Sequence, residues 1–188
     1  MIKDYFGKHM AICQELDLDS FQMGVEVIQR TFESGGKIIT CGNGGSALTA
    51  LHYITDWNKA ITDATGIPFR GISLVDNIGL VTAFANDVSY PAVFSSQLEA
   101  LLCPEDLVVV VSGSGNSENV INAVKYANIK GADTLAILGY DGGKLKDLAK
   151  NIVLVPSFDM QICEDIHLMF GHVVLKELTR KKDYSLGN

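Results

Sequence analysis

The residues with the clearest capacity for chemistry sit in two loops and on one polar pair. "GNGGSA" (42–47) and "SGSGNSENV" (112–120) each follow an apolar run and open a helical pattern. Glycines there let the backbone turn sharply and approach a ligand closely. Ser112, Ser114 and Ser117 supply hydroxyls, and a helix starting near Ser117 or Glu118 adds unpaired N–H groups and a partial positive charge. Together these make a phosphate cradle that needs no lysine. The pattern is not a P-loop, because G-x-x-x-x-G-K-[ST] is absent. It is not a dinucleotide fingerprint either, because "GNGGSA" lacks the third glycine at the required spacing. Downstream of the first loop, His52 and Asp56 stand four residues apart in "HYITD", on one face of a helix. They could be a ligand pair, an acid/base pair, or the polar face of that helix.

The elements that must position these groups follow from periodicity. Residues 1–34 read as a helical segment, with Leu16, Leu18, Phe21, Val25, Ile28 and Phe32 at roughly helical spacing, stopped by "SGG". "KIITC" (37–41), "GISLV" (71–75), "DLVVVVS" (106–112), "TLAIL" (134–138) and "NIVLVP" (151–156) read as strands. The third is apolar throughout, as a parallel strand buried on both faces should be. Helices are expected near 46 onward, within 77–102 with a break at "NDVSYP", at about 117–130, briefly after "DGGKL", and at 159–180. This alternation implies an α/β fold with a mainly parallel sheet covered on both faces, with ligands outside the carboxyl ends of the strands.

The bulk properties narrow the class. The 188 residues suit one domain, 1–188, with 47% hydrophobic and 20% charged residues, a globular balance. A net charge of −7, with no basic run beyond Arg180-Lys181-Lys182, argues against nucleic-acid partners. Cys13, Cys41, Cys103 and Cys163 form no C-x-x-C pair and read as reduced thiols of a cytoplasmic protein. "MIKDYFGKHM" has no signal-peptide character, and no apolar run is long enough to span a bilayer.

On "CGNGGSALTALHYITD", "VDNIGLVTAFANDVSYPAVFSSQLEAL", "VVVVSGSGNSENVINAVKYANIKG" and "CEDIHLMFGHVV", the chain resembles the sugar isomerase (SIS) family, and within it the phosphoheptose isomerases. The resemblance implies a three-layer α/β/α sandwich around a five-stranded parallel sheet, preceded by an N-terminal helix or helices. It implies a homotetramer with active sites between subunits. Phosphate contacts would fall to Ser46, Ser112, Ser114 and Ser117, with Asn43 and Asn116 nearby and Asp76 or Asn77 on the sugar. The family's acid/base pair and its metal site, commonly zinc, map onto His52, Asp56, Glu164 and His172, with Asp56, Glu164 and His172 as catalytic groups. Asp56 stands where the family has glutamate, Glu164 where it has glutamine, and Gly113 where a threonine is common.

Converting a ketose phosphate to an aldose phosphate moves a proton between adjacent carbons through an enediol, which suits a carboxylate and an imidazole. Glu164 and His172, eight residues apart, lie within about a quarter turn on a helix of 3.6 residues per turn. Each helix then offers two ligands to one point, a hard N/O set for Zn²⁺ or another divalent ion. Two carboxylates there would offset the ion's charge and weaken its Lewis acidity. The expected activity is isomerisation of sedoheptulose 7-phosphate or a similar sugar. A non-catalytic sugar-phosphate-binding module, or an enzyme on a different phosphosugar, remain the alternatives. His167 reads as packing or a subunit contact, and "FSSQLEAL", with Gln97, as an oligomer-forming element.

Overall fold

The computed structural model of the protein describes residues 1–180; Lys181 and Lys182 of the basic run lie outside them. In chain order the elements are α1 (Ile2–Glu15), α2 (Leu18–Glu33), β1 (Ile38–Gly42), α3 (Gly45–Asp56), a π-helical turn (Trp57–Ile61), α4 (Thr62–Thr65), β2 (Gly71–Ser73), α5 (Ile78–Asp87), a 3₁₀ turn (Tyr90–Ala92), α6 (Ser95–Leu101), β3 (Leu107–Ser112), α7 (Glu118–Ile129), β4 (Asp133–Leu138), α8 (Leu145–Leu148), β5 (Asn151–Leu154) and α9 (Met160–Thr179).

The expected N-terminal helical segment is two helices. Leu16 is extended, and the Asp17 carboxylate accepts the backbone N–H groups of Asp19 and Ser20 at 3.1 and 3.2 Å, which starts α2 afresh. Phe21, Val25, Ile28 and Phe32 then form one buried stripe. By contrast α1 buries no residue fully and leaves Ile2, Phe6 and Met10 exposed.

The five strands form one parallel sheet in the order β2-β1-β3-β4-β5. The strand β3 shows why both faces are covered. Leu107, Val109 and Val111 belong to a core shared with α2, α3 and α9, whereas Val108 and Val110 face a second core with α6 and α7. This strict alternation is the period of a strand buried on both sides. The sheet order reverses between β1 and β3, and such a switch point opens a crevice at the carboxyl ends of the two strands. Gly42 pairs with Val111, so the loops leaving β1 and β3 start side by side.

The helices α3 and α9 are locked together by aromatic groups. Tyr53 and Trp57 are fully buried and stacked, with ring centroids 4.8 Å apart. Trp57 Nε1 donates to the Gly171 carbonyl at 3.0 Å, and the Tyr53 hydroxyl donates to the His167 carbonyl. Burial of each ring contributes roughly 4–6 kcal/mol on area grounds. Gln97, expected at an oligomer contact, is instead an internal brace. It is buried, and its Nε2 donates to the carbonyls of Leu74 (3.0 Å) and Val93 (2.9 Å), joining α6 to the end of β2.

Candidate active site

At the switch point the two glycine loops enclose a cavity of about 300 Å³, lined by Asn43, Gly44, Gly45, Ser46, Ser112, Gly113, Ser114 and Ser117, with Met160 and Glu164 from α9. Three helices start here: α3 at Gly45, α7 at Glu118 and α9 at Met160. None has a side-chain cap, whereas α2 and α5 are capped by Asp17 and Asn77. Apart from Val120 N–H, which Asn119 Oδ1 accepts, their first N–H groups have no side-chain partner, and their dipoles favour an anion. Among the described residues no lysine or arginine lines the cavity. Arg70 donates to the Gly35 carbonyl and Lys59 pairs with Asp63, so neither basic residue nearest in sequence belongs to it.

Not every expected contact lies in this cavity. Asn116 braces the loop, donating to the Ser114 carbonyl (2.9 Å) and accepting from Lys144 N (3.1 Å), and it does not line the cavity. Asn77 caps α5 through Leu80 N at 3.2 Å, and neither it nor Asp76 reaches the cradle. A capping asparagine and a ligand-binding one look alike in sequence.

The four expected metal-site residues do not converge. His52 Nε2 lies 3.2 Å from His172 Nε2 and 3.2 Å from Asp56 Oδ2, and His172 Nε2 lies 3.9 Å from the same oxygen. Glu164 stands outside this trio. Its carboxylate lies against Gly45 in the cradle, where any side chain at position 45 would collide with it. Angular spacing alone misplaced it: eight residues also rise about 12 Å along a helix. Gly113, the position where a threonine is common, is similarly occupied from outside, by the thioether of Met160.

The trio itself suits a divalent ion. Ligands about 2.1 Å from a tetrahedral centre are about 3.4 Å from one another, close to the three separations observed. Two imidazoles and one carboxylate leave a coordination position open, the pattern of a catalytic site. With Glu164 elsewhere, the set carries one ligand charge and not the two expected from sequence, so an ion here would keep its Lewis acidity. The three side chains are 43, 31 and 50% exposed, which makes them reachable from outside.

Residues 4–139 match the SIS domain. The phosphoheptose isomerase of Aliarcobacter butzleri is 35% identical over 177 residues, 93% of each chain. The chain belongs to the phosphoheptose isomerase family of SIS-domain proteins. The solved phosphoheptose isomerases of Neisseria gonorrhoeae and Francisella tularensis superpose on it with TM-scores of 0.88, at 29 and 25% identity. The first covers 95% of this chain and 97% of its own length, the second 96 and 97%. Its class of chemistry is thus aldose–ketose isomerisation of a phosphosugar. In this phosphoheptose isomerase family member the helix α3 links the two parts of the site: it starts in the phosphate-type cradle and carries His52 and Asp56, while His172 comes from α9.

Two residues near the site were not foreseen from sequence. Asn119, 2% exposed, pairs its amide with that of Asn43, and the Tyr90 hydroxyl donates to Asn43 at 2.8 Å. The signal was an asparagine among the apolar residues of "ENVINAV". His167 is packing, as one of its two readings held: it is buried, with neither ring nitrogen hydrogen-bonded. Burial pushes its pKa down to about 4; the Leu138 carbonyl pulls the other way but lies outside hydrogen-bond geometry. Burial likewise pushes the Cys41 and Cys163 thiols up, which makes them poor nucleophiles.

His167 sets an acid limit on stability. Unfolded, it takes up a proton near pH 6.5; folded, it resists until about pH 4. The unfolded chain therefore binds more protons in that window, so this contribution is complete above about pH 6.5 and is lost as pH falls toward 4, by about 3 kcal/mol. Urea midpoints measured from pH 7 to 4 should show this slope, and His167→Leu should flatten it. Equal slopes in both proteins would contradict the assignment.

Proposed function

We propose that the protein isomerises sedoheptulose 7-phosphate to a heptose 7-phosphate, with its phosphate in the two-loop cradle and its reacting carbons at the His52–Asp56–His172 trio. The observation that carries this reading is the shared helix. Ser46 and His52 are six residues apart on α3 and Ser46 and Asp56 are ten, about 9 and 15 Å along the axis. An extended seven-carbon chain spans about 10 Å from C1 to phosphorus with bonds near 1.5 Å. A triose phosphate spans about half of that and would leave one end of the site empty.

In this reading the serines and the uncapped helix N-termini hold the phosphate dianion, and Glu164 accepts hydrogen bonds from sugar hydroxyls. His52, Asp56 and His172 would hold a divalent ion, Zn²⁺ foremost. Such an ion supplies positive charge beside the C1 and C2 oxygens. Asp56 Oδ2 faces both imidazoles, which leaves Oδ1 to take the proton from C1 and return one to C2. With its Nε2 directed at the ion, His172 would exchange the hydroxyl protons through Nδ1, so that O1 loses one and O2 gains one. Asp56, in the trio, suits the role of base better than Glu164, which sits in the phosphate half of the site.

The whole chain is read as one such domain. The exposed apolar residues Ile2, Phe6 and Met10 on α1, and Ile78 and Leu80 on α5, support a homotetramer whose neighbouring subunits close the exposed site. No helix among the described residues is long and apolar enough to cross a membrane, and the four cysteines are free, which fits a cytoplasmic enzyme.

The cradle is tested by Ser112→Ala combined with Ser114→Ala. The KM for sedoheptulose 7-phosphate should rise at least tenfold, about 1.4 kcal/mol. An unchanged KM would mean that the phosphate binds elsewhere.

A further inference from the structure

We infer that Asn119 is a positioning residue of the phosphate cradle: it fixes the side-chain amide of Asn43 so that Asn43 can offer a ligand only an N–H donor. The inference rests on the proposed phosphate site and adds a residue that no known contact assigns.

An asparagine amide can point either way, and only its partners decide which. Here the decision starts from a backbone group. Val120 N–H can only donate, and it meets Asn119 at 3.0 Å, so the atom it meets is Oδ1. Asn119 Nδ2 is thereby directed at Asn43 and donates to Asn43 Oδ1 at 2.8 Å. Asn43 Nδ2 returns a hydrogen bond to Asn119 Oδ1, also at 2.8 Å. The Tyr90 hydroxyl then donates to the same Asn43 Oδ1 at 2.8 Å. Both lone pairs of Asn43 Oδ1 are now filled, and one N–H of its amide remains.

This remaining donor matters because Asn43 lines the cradle. A flipped amide would turn a carbonyl oxygen toward a phosphate dianion and repel it. The same reciprocal pair ties the β1–α3 loop to the first turn of α7, so it also holds the two halves of the cradle at a fixed spacing. Asn119 is almost fully buried, and an amide placed there without its partner would be costly, which makes the pair hard to open. Tyr90 is half-exposed, at the entrance of an apolar pocket that shares Asn43 and Gly44 with the cradle, and it locks the arrangement from outside.

The direct test is Asn119→Asp, which keeps the shape and replaces the donor facing Asn43 Oδ1 by an oxygen. Asn43 Oδ1 then faces a carboxylate oxygen with no proton between them, so the bond that fixes the Asn43 amide is replaced by a repulsion and its N–H is no longer held toward the cradle. Steady-state kinetics with sedoheptulose 7-phosphate should show KM raised at least tenfold with kcat changed less than threefold. The Kd for inorganic phosphate, measured by calorimetry, should rise in parallel. A merely structural role would lower kcat and melting temperature and leave KM and phosphate affinity in place, and that result would overturn the inference. If N119D does not fold, Tyr90→Phe decides, because its hydroxyl is exposed and its loss spares the core. A KM raised about threefold supports the inference, and an unchanged KM overturns it. Unchanged KM in N119D while the Ser112/Ser114 double variant is impaired overturns the clamp alone. Unchanged KM in both overturns the phosphate site and the clamp with it.

Discussion

Asp56→Asn is expected to reduce kcat for sedoheptulose 7-phosphate by roughly 10³-fold, about 4 kcal/mol in the barrier, while the protein stays folded. The substitution keeps the shape of the side chain and its hydrogen-bonding reach. It removes the negative charge that faces His52 Nε2 at 3.2 Å and His172 Nε2 at 3.9 Å, and with it the base. Asp56 is only partly buried, so the loss of charge should cost little stability. A second readout is independent of turnover: elemental analysis should find the divalent ion much reduced in Asp56→Asn and in His172→Ala. Glu164→Gln should behave differently. Its carboxylate lies in the cradle, so the change should act on KM and leave metal content alone. Loss of metal in Glu164→Gln with full retention in Asp56→Asn would reverse the assignment of the two carboxylates.

Gly171→Ala is expected to destabilise the protein by about 1–3 kcal/mol, the usual range for overpacking, and to lower kcat by roughly 10²-fold. A methyl group at 171 would overlap the ring of Tyr53. That ring cannot yield: it is stacked on Trp57, edge-on to Phe170 and fully buried. The helix α9 must lift from α3 instead. The next residue on α9 is His172, so the lift draws its imidazole away from His52 and Asp56. Thermal melts and kinetics measured together check this, and Tyr53→Leu should partly restore both. A Gly171→Ala protein with the parent's melting temperature and kcat would show that the α3–α9 contact does not set the trio.

The same contact shows where sequence stops being legible. The strands were readable because a central strand of a parallel sheet is apolar on both faces, and "LVVVV" can be little else. The loops were readable because glycines and serines between a strand and a helix have few other uses. His52 and Asp56 were readable as a pair because four residues bring them to one helical face. The partners across helices were less so. His172 meets the pair because Gly171 lets α9 approach closely, and that glycine carries no motif. Glu164 was placed with His172 because angle was weighed and rise was not. Asn119 escaped notice because its role lies in an amide exchanged with a residue 76 positions away. Asp76, Asn77 and Asn116 have the right chemistry for a sugar phosphate, but a helix cap and a loop brace use the same groups.

The central claim is that one helix carries both a phosphate anchor and a proton-transfer centre for a long-chain ketose phosphate. Incubation with sedoheptulose 7-phosphate in deuterated water, followed by mass and NMR analysis of the sugar phosphates, tests it most directly. The account predicts one deuterium at C2 of the aldose product with the parent protein and almost none with Asp56→Asn. Binding of the sugar phosphate without any deuterium entering C2 would contradict it.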